Sequence, residues 1–261
     1  MLPAHFRPIV ILLFAIVIIA SAYVSSFRAG ILDCPGLGKM VTPAISLLMF
    51  DGPGRLLGQV GFPTIALAFA SCVVPLKRVV ELALANEKQN GEAHSLTPLL
   101  GSACVGFLAL AVVGAVPLQR DVCAVMMGQS ALNTSSVLHQ SAAAVFFAAS
   151  AAHMFLWLRL VAADISDDCP ISRHSRPFSF YFKAACFVLS WLPLPAAFCL
   201  HPASPVRSHL NLTEADAGGI QQYALVACVA SFFASYSGEL AALGALEPGK
   251  KKDSIGKRKV Q

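Results

Sequence analysis

Two histidines carry the clearest chemical signal in the chain. Imidazole, with an ordinary pKa of ~6.5, can take and return a proton near neutral pH. His139 and His153 are separated by 14 positions. On a helix turning ~100° and rising ~1.5 Å per residue they point ~40° apart and lie ~21 Å apart along the axis. They therefore share a face. Around them run Ala142, Ala143, Ala148, Ala149, Ala151 and Ala152, small residues that let neighbouring helices approach closely. The spacing predicts a central helix with both rings turned inward. His139 reads as a general base, or as an interfacial residue bonded to a headgroup or a backbone carbonyl. His153 lies deeper, as a lipid contact or as a packed polar residue bonded across helices. Other familiar chemistries have no foothold. The chain has no G-x-x-x-x-G-K-S/T loop, no H-E-x-x-H, no C-x-x-C and no G-x-S-x-G, so no P-loop, zinc site or nucleophile elbow is expected. No metal and no cofactor is predicted.

The elements that must hold these rings follow from composition. Of 261 residues, 56% are apolar and 13% charged, about half the ~25% charge of soluble domains. The mean hydropathy is +0.68. Such a chain is expected to lie mostly in lipid, which excludes a soluble enzyme, a nucleic-acid reader and a disordered scaffold. A bilayer core needs ~20 apolar residues per helix, and six stretches qualify: Pro8 to Phe27, Leu56 to Leu76, Thr97 to Leu118, Val137 to Leu158, Phe182 to Leu200 and Ile220 to Leu246. None alternates at period two as barrel strands do. The expected fold is all-α: a polytopic six-helix bundle over residues 1–249 followed by a basic tail, 250–261. Pro193 and Pro195 should kink or end the fifth stretch. The first stretch has a rival reading as a signal peptide with an Ala20-Ser21-Ala22 cleavage site.

Orientation follows the Lys/Arg bias. With both termini cytosolic, fourteen of the 19 Lys and Arg residues, Lys183 among them, flank the cytosolic side. Two glycosylation sequons, at Asn133 and Asn211, then fall in luminal loops. Cys34 and Cys123 also fall there, where a disulfide is permitted, and a bridge between them would pin the first and third loops. Apart from Glu239, no acidic residue lies inside a span, and there is no row of buried charges typical of ion pumps. The tail ends Lys257-Arg258-Lys259-Val260-Gln261. It fits a K-x-K-x-x retrieval signal at Lys257 and Lys259, read by a coat complex, or a positive-inside cluster that holds the last helix.

The segment LHQSAAAVFFAASAAHM, residues 138–154, resembles the fourth helix of the post-GPI-attachment to proteins factor 2 family. That family belongs to a six-helix group with the DRAM autophagy modulators and the Cwh cell-wall proteins. Cys34, Pro43-Ala44-Ile45-Ser46 and Pro53-Gly54-Arg55 resemble its first-loop pattern. The likeness spans roughly residues 8 to 160. It departs in the last helix, where Ala227-Cys228 stands in place of an acid–aromatic pair and the later His-Met is absent. The resemblance implies GPI-anchor maturation in the Golgi or endoplasmic reticulum membrane: reacylation of lyso-GPI with a saturated chain, by an acyltransferase or its essential accessory. GPI lipid would be a partner and membrane lipids the acyl source. His139 would act on the glycerol hydroxyl, Arg55 would pair with the lipid phosphate, Asp51 would orient His139 or the sugars, and Ser46 would lie at the same level. The alternative is a DRAM-like, non-enzymatic regulator of autophagy or lipid distribution.

Overall fold

The computed structural model describes residues 3–28, 33–34, 38–49, 51–89, 96–163 and 177–246. The tail with Lys257 and Lys259 lies outside the described residues. Apart from one two-residue hairpin, β1 (Asp33–Cys34) on β2 (Gly38–Lys39), paired antiparallel with Asp33 opposite Lys39, the described regular structure is helical. Helix α1 is Arg7–Arg28. A 3-10 turn, Ile45–Met49, leads into α2, Gly52–Gln89. Then come α3 (Leu96–Ala115), the short α4 (Val122–Met126) and α5 (Thr134–Ala163). A broken pair follows, α6 (Pro177–Trp191) and α7 (Leu194–Leu200). The chain closes with the short α8 (Pro205–Leu210), α9 (Ala217–Ala234) and α10 (Tyr236–Leu246).

Among the described residues, five helices are long and apolar enough to cross a membrane, and six if α6 and α7 form one span bent by 65°. The bend falls where the sequence predicts it. Pro193 occupies the N-cap of α7 and Pro195 its first turn, positions where the missing N–H removes no internal bond. Helix α2, with 38 residues, is ~57 Å long at ~1.5 Å per residue and overshoots the expected Leu56–Leu76 stretch at both ends. Past its apolar part the exposed pair Lys77–Glu81, 3.5 Å apart at i,i+4, marks a return to a polar surroundings. Outward faces stay apolar, with Leu67, Leu108 and Tyr181 about 70% exposed, as surfaces immersed in hydrocarbon should be.

The bundle is built by neighbours in sequence: α1 packs on α2, α2 on α3 and α3 on α5, while α9 packs on α6 and α7 and closes back on α1. At its centre Phe69, Phe107 and Phe233 meet with ring centroids 5.4–5.6 Å apart. Close approach is set by small residues. A Cβ added at Gly114 of α3 would sit 2.6 Å from Pro63 of α2.

Lys183 departs from the expectation that it flanks the bundle as an interfacial cation. It is 1% exposed and hydrogen-bonded to Glu239 of α10, with Ser179 Oγ at 3.0 Å and the Tyr236 ring centroid at 5.2 Å. An ammonium in the interior needs a counter-charge, and the lone acid of the last span supplies it.

Candidate functional site

The segment Met40–Met49 crosses one end of the bundle, here the loop end, and three helices hold it. From α1, Tyr23 donates to the Val41 carbonyl and Ser26 to the Leu48 carbonyl, each at 2.8 Å. From the start of α9, Gln222 Oε1 accepts the Ile45 N–H at 2.6 Å. Just before α9, Asp216 Oδ1 accepts the N–H groups of Val41 (2.9 Å) and Thr42 (2.7 Å) and the Thr42 hydroxyl (3.0 Å). Its Oδ2 accepts the N–H and hydroxyl of Thr213. Burial works to raise the Asp216 carboxyl, but these donors outweigh it and hold the group below the usual carboxylate range. Gly219 permits the contact, since a Cβ there would collide with the Thr42 carbonyl. The buried side chains of Ile45, Leu47, Leu48 and Met49 anchor the segment from within.

The third helix is α5. His139 Nε2 lies 3.0 Å from Ser46 Oγ, and its Nδ1 lies 2.7 Å from the Val116 carbonyl. A carbonyl only accepts, so Nδ1 carries the proton and Nε2 presents its lone pair to the Ser46 hydroxyl. The serine is half-buried and the histidine 5% exposed. A hydroxyl hydrogen-bonded to an imidazole, itself oriented by a third group, is the arrangement of an activated nucleophile. Here a backbone carbonyl takes the place usually held by a carboxylate. It keeps the ring in one tautomer and would stabilise the imidazolium formed when Nε2 gains a proton.

The other predicted residues distribute around this pair. Asp51 does not reach His139. It faces the exposed Arg120, 3.8 Å away. Arg55, half-buried in the first turn of α2, bonds by its N–H to the Asp51 carbonyl, and no described residue pairs with its guanidinium. His153 is fully buried. Its Nδ1 bonds to the Leu99 carbonyl (2.9 Å), its Nε2 to Tyr236 Oη (2.7 Å), and its ring stacks on Phe233. Both histidines thus face inward as their spacing predicts, but only His139 meets a hydroxyl at the loop end. Asn133 is exposed and caps α5, accepting from Ser135 Oγ and the Ser136 N–H. Asn211 is exposed with φ 53° at the end of α8. The two sequons share the loop end. Cys123 is disulfide-bonded, and the Cys34 side chain lies outside the described residues. Among the described residues no group of three His, Cys, Asp or Glu could hold a metal.

Sequence reasoning passed over Asp216, Gln222, Tyr23 and Ser26, which place the segment. One of them had a readable signal: Thr213 and Asp216 form a capping box, S/T-x-x-D/E before an apolar run. Val116 acts through its backbone and has none. No family model, curated protein or solved structure matches the chain.

Proposed function

We propose that the protein transfers acyl chains between membrane lipids at its loop end, with Ser46 and His139 as the reacting pair, and that its substrate is the GPI lipid. The observation that carries this reading is the 3.0 Å contact between Ser46 and His139. It joins the two separate segments in which the chain resembles the GPI-remodelling family, Pro43-Ala44-Ile45-Ser46 and the helix from Leu138 to Met154.

The chemistry runs in two halves. Ser46 Oγ attacks the ester carbonyl of a donor phospholipid while its proton passes to His139 Nε2. The ester C–O bond breaks, and Nε2 returns the proton to the departing glycerol oxygen, leaving acyl-Ser46 and a lysophospholipid. The free glycerol hydroxyl of lyso-GPI then attacks acyl-Ser46, gives its proton to Nε2, and leaves with the acyl group as Nε2 reprotonates Ser46. Arg55, with its guanidinium unpaired among the described residues, is suited to a lipid phosphate at the same end. In this reading the loop end faces the lumen of the Golgi or endoplasmic reticulum. The Lys/Arg asymmetry and the shared end of Asn133 and Asn211 support that direction.

A second reading, a non-enzymatic lipid or autophagy regulator, is favoured by the burial of His139, since a Ser–His bond can also serve as a tie between segments. The two part in cells carrying His139→Ala or Ser46→Ala. Acyl-chain analysis of their GPI-anchored proteins should show loss of the saturated chain at unchanged levels of the variant. Normal saturated content in both variants would eliminate the acyl-transfer reading.

A further inference from the structure

Beyond the Ser–His pair, the described part of the molecule contains a cavity of about 770 Å³ between α1 and α9, open to the outside of the bundle. This lies within the ~300–1,000 Å³ usual for small-ligand sites. Its walls are apolar. Ala15, Ile16, Ala20 and Val24 of α1 and Ala227 and Ala230 of α9 are among its lining residues. From Leu12 to Val24 it follows α1 for ~18 Å at ~1.5 Å per residue, close to the ~15 Å depth of one leaflet of a ~30 Å hydrocarbon core.

Two features set it apart from an ordinary lipid-facing surface. Ala15, Ile19, Val226 and Ala230 also line a second, separate space of about 70 Å³ whose other walls include Phe69, Phe107 and Phe233, so the groove backs onto an unfilled part of the core. At its loop end stand Val41 and Thr42, the start of the segment that carries Ser46, together with Tyr23 and Tyr223. The ring of Tyr223 lines the groove, and its Oη is buried with no hydrogen-bond partner.

We infer that this groove binds one ester-linked acyl chain of a membrane glycerolipid, its methyl end toward Leu12 and Ser231 and its ester at the level of Thr42 and Tyr223. The surroundings leave little choice of occupant. In a bilayer an apolar groove of this depth, continuous with the exposed face of Leu13 and Val17, is filled by a hydrocarbon chain. The polar end, where Val41 and Thr42 line the groove, matches an ester. Thr42 and Ser46 are four residues apart, at most ~14 Å along an extended chain, so the lipid's glycerol lies on the segment that carries Ser46. The inference rests on the proposed function only in identifying this lipid as a substrate; chain binding stands without turnover.

The test uses the full-length protein in nanodiscs and a lysophosphatidylcholine with a diazirine at the end of its acyl chain. On irradiation, the label should concentrate on α1 near Leu12 and Ile16 and on α9 near Ser231. Ala227→Trp, which fills the groove from an exposed position, should lower labelling about tenfold at an unchanged melting temperature, a change of ~1.4 kcal/mol in binding. Ala230→Leu provides a smaller obstruction should the tryptophan variant melt early. Label spread evenly over outward faces such as those of Leu67 and Leu108, or label indifferent to Ala227→Trp and Ala230→Leu, would overturn the site. If groove labelling holds while His139→Ala leaves GPI chains normal, the lipid site stands and the acyl-transfer reading falls.

Discussion

Replacing Glu239 with glutamine removes the counter-charge of Lys183 and leaves the ammonium in the interior. The side chains are 2% and 3% exposed, and the remaining partners of Lys183 are the Ser179 hydroxyl at 3.0 Å and the face of Tyr236. A charge left buried after its partner is removed typically costs 3–5 kcal/mol. At ~1.4 kcal/mol per tenfold change, the folding constant should fall roughly a hundred- to a few thousandfold. Lys183→Met, which strands the carboxylate, should cost a similar amount. It adds to a weakness already present, because Glu239 Oε2 is buried without a partner. Changing both together, Lys183→Met with Glu239→Leu, removes two desolvation penalties at once, and the double variant should lie within about 1 kcal/mol of the parent or above it. Reversible unfolding in mixed micelles with rising dodecyl sulfate, followed by tryptophan emission, measures the parent and the three variants. A loss below about 1 kcal/mol in Glu239→Gln would refute the reasoning, since it would mean that the lysine stem carries its head to water or headgroups. A double variant as weak as the singles would refute it too, by showing that the packing of the stems and not their charges holds α6 to α10.

Asp216 gives the stability of the loop end a pH dependence. Its folded pKa is lowered, so its contribution is complete above the ordinary carboxylate pKa of ~4 and is lost as pH falls through the lower folded value. Asp216→Asn should abolish that acid-dependent part and cost about 3 kcal/mol at neutral pH, because an amide cannot accept on both sides; a melting temperature of the variant that followed pH as the parent's does would contradict this. His153→Phe should cost about 1–3 kcal/mol by leaving the buried Tyr236 hydroxyl without a partner, while the Leu99 carbonyl keeps the Ser102 hydroxyl at 2.8 Å. Labelling of the groove by the diazirine lipid should be unchanged in that variant, and a loss of labelling per folded molecule would make His153 part of the lipid site.

Hydropathy reads how deep a residue sits, and depth was the legible part of the fold. The first stretch, Pro8 to Phe27, is α1, Arg7–Arg28, within a residue at each end. The third, expected from Thr97, begins at Leu96, and the prolines that should break the fifth do break it. What hydropathy does not carry is azimuth, the direction a side chain takes around its helix. Lys183 near the start of a span reads as a flanking cation, yet it turns inward to an acid 56 residues later. The same limit governs the site. Ser46 and His139 were both legible as polar residues at one level. Their contact bridges 93 residues and depends on a backbone carbonyl at Val116, which any residue would offer. Asp51 was the natural orienting group for a reading confined to side chains, and the fold gives that place to the main chain.

The position of Ser46 is therefore a property of the bundle and not of its own short segment. A five-residue 3-10 turn makes few internal bonds and would not hold one conformation alone. Burial of Ile45, Leu47, Leu48 and Met49 drives the segment inward but tolerates many registers, because apolar contact has no direction. The register is chosen by directional bonds from three separate helices: Tyr23 and Ser26 on α1, His139 on α5, and Asp216 with Gln222 at the start of α9. Two of these helices, α1 and α9, are also the walls of the lipid groove. A chain that spreads or closes that groove must strain the bonds from Tyr23, Ser26 and Gln222, and through them shift Ser46 against a histidine held on a third helix. In the proposed reading, that shared attachment would couple lipid binding to the geometry of Ser46 and His139.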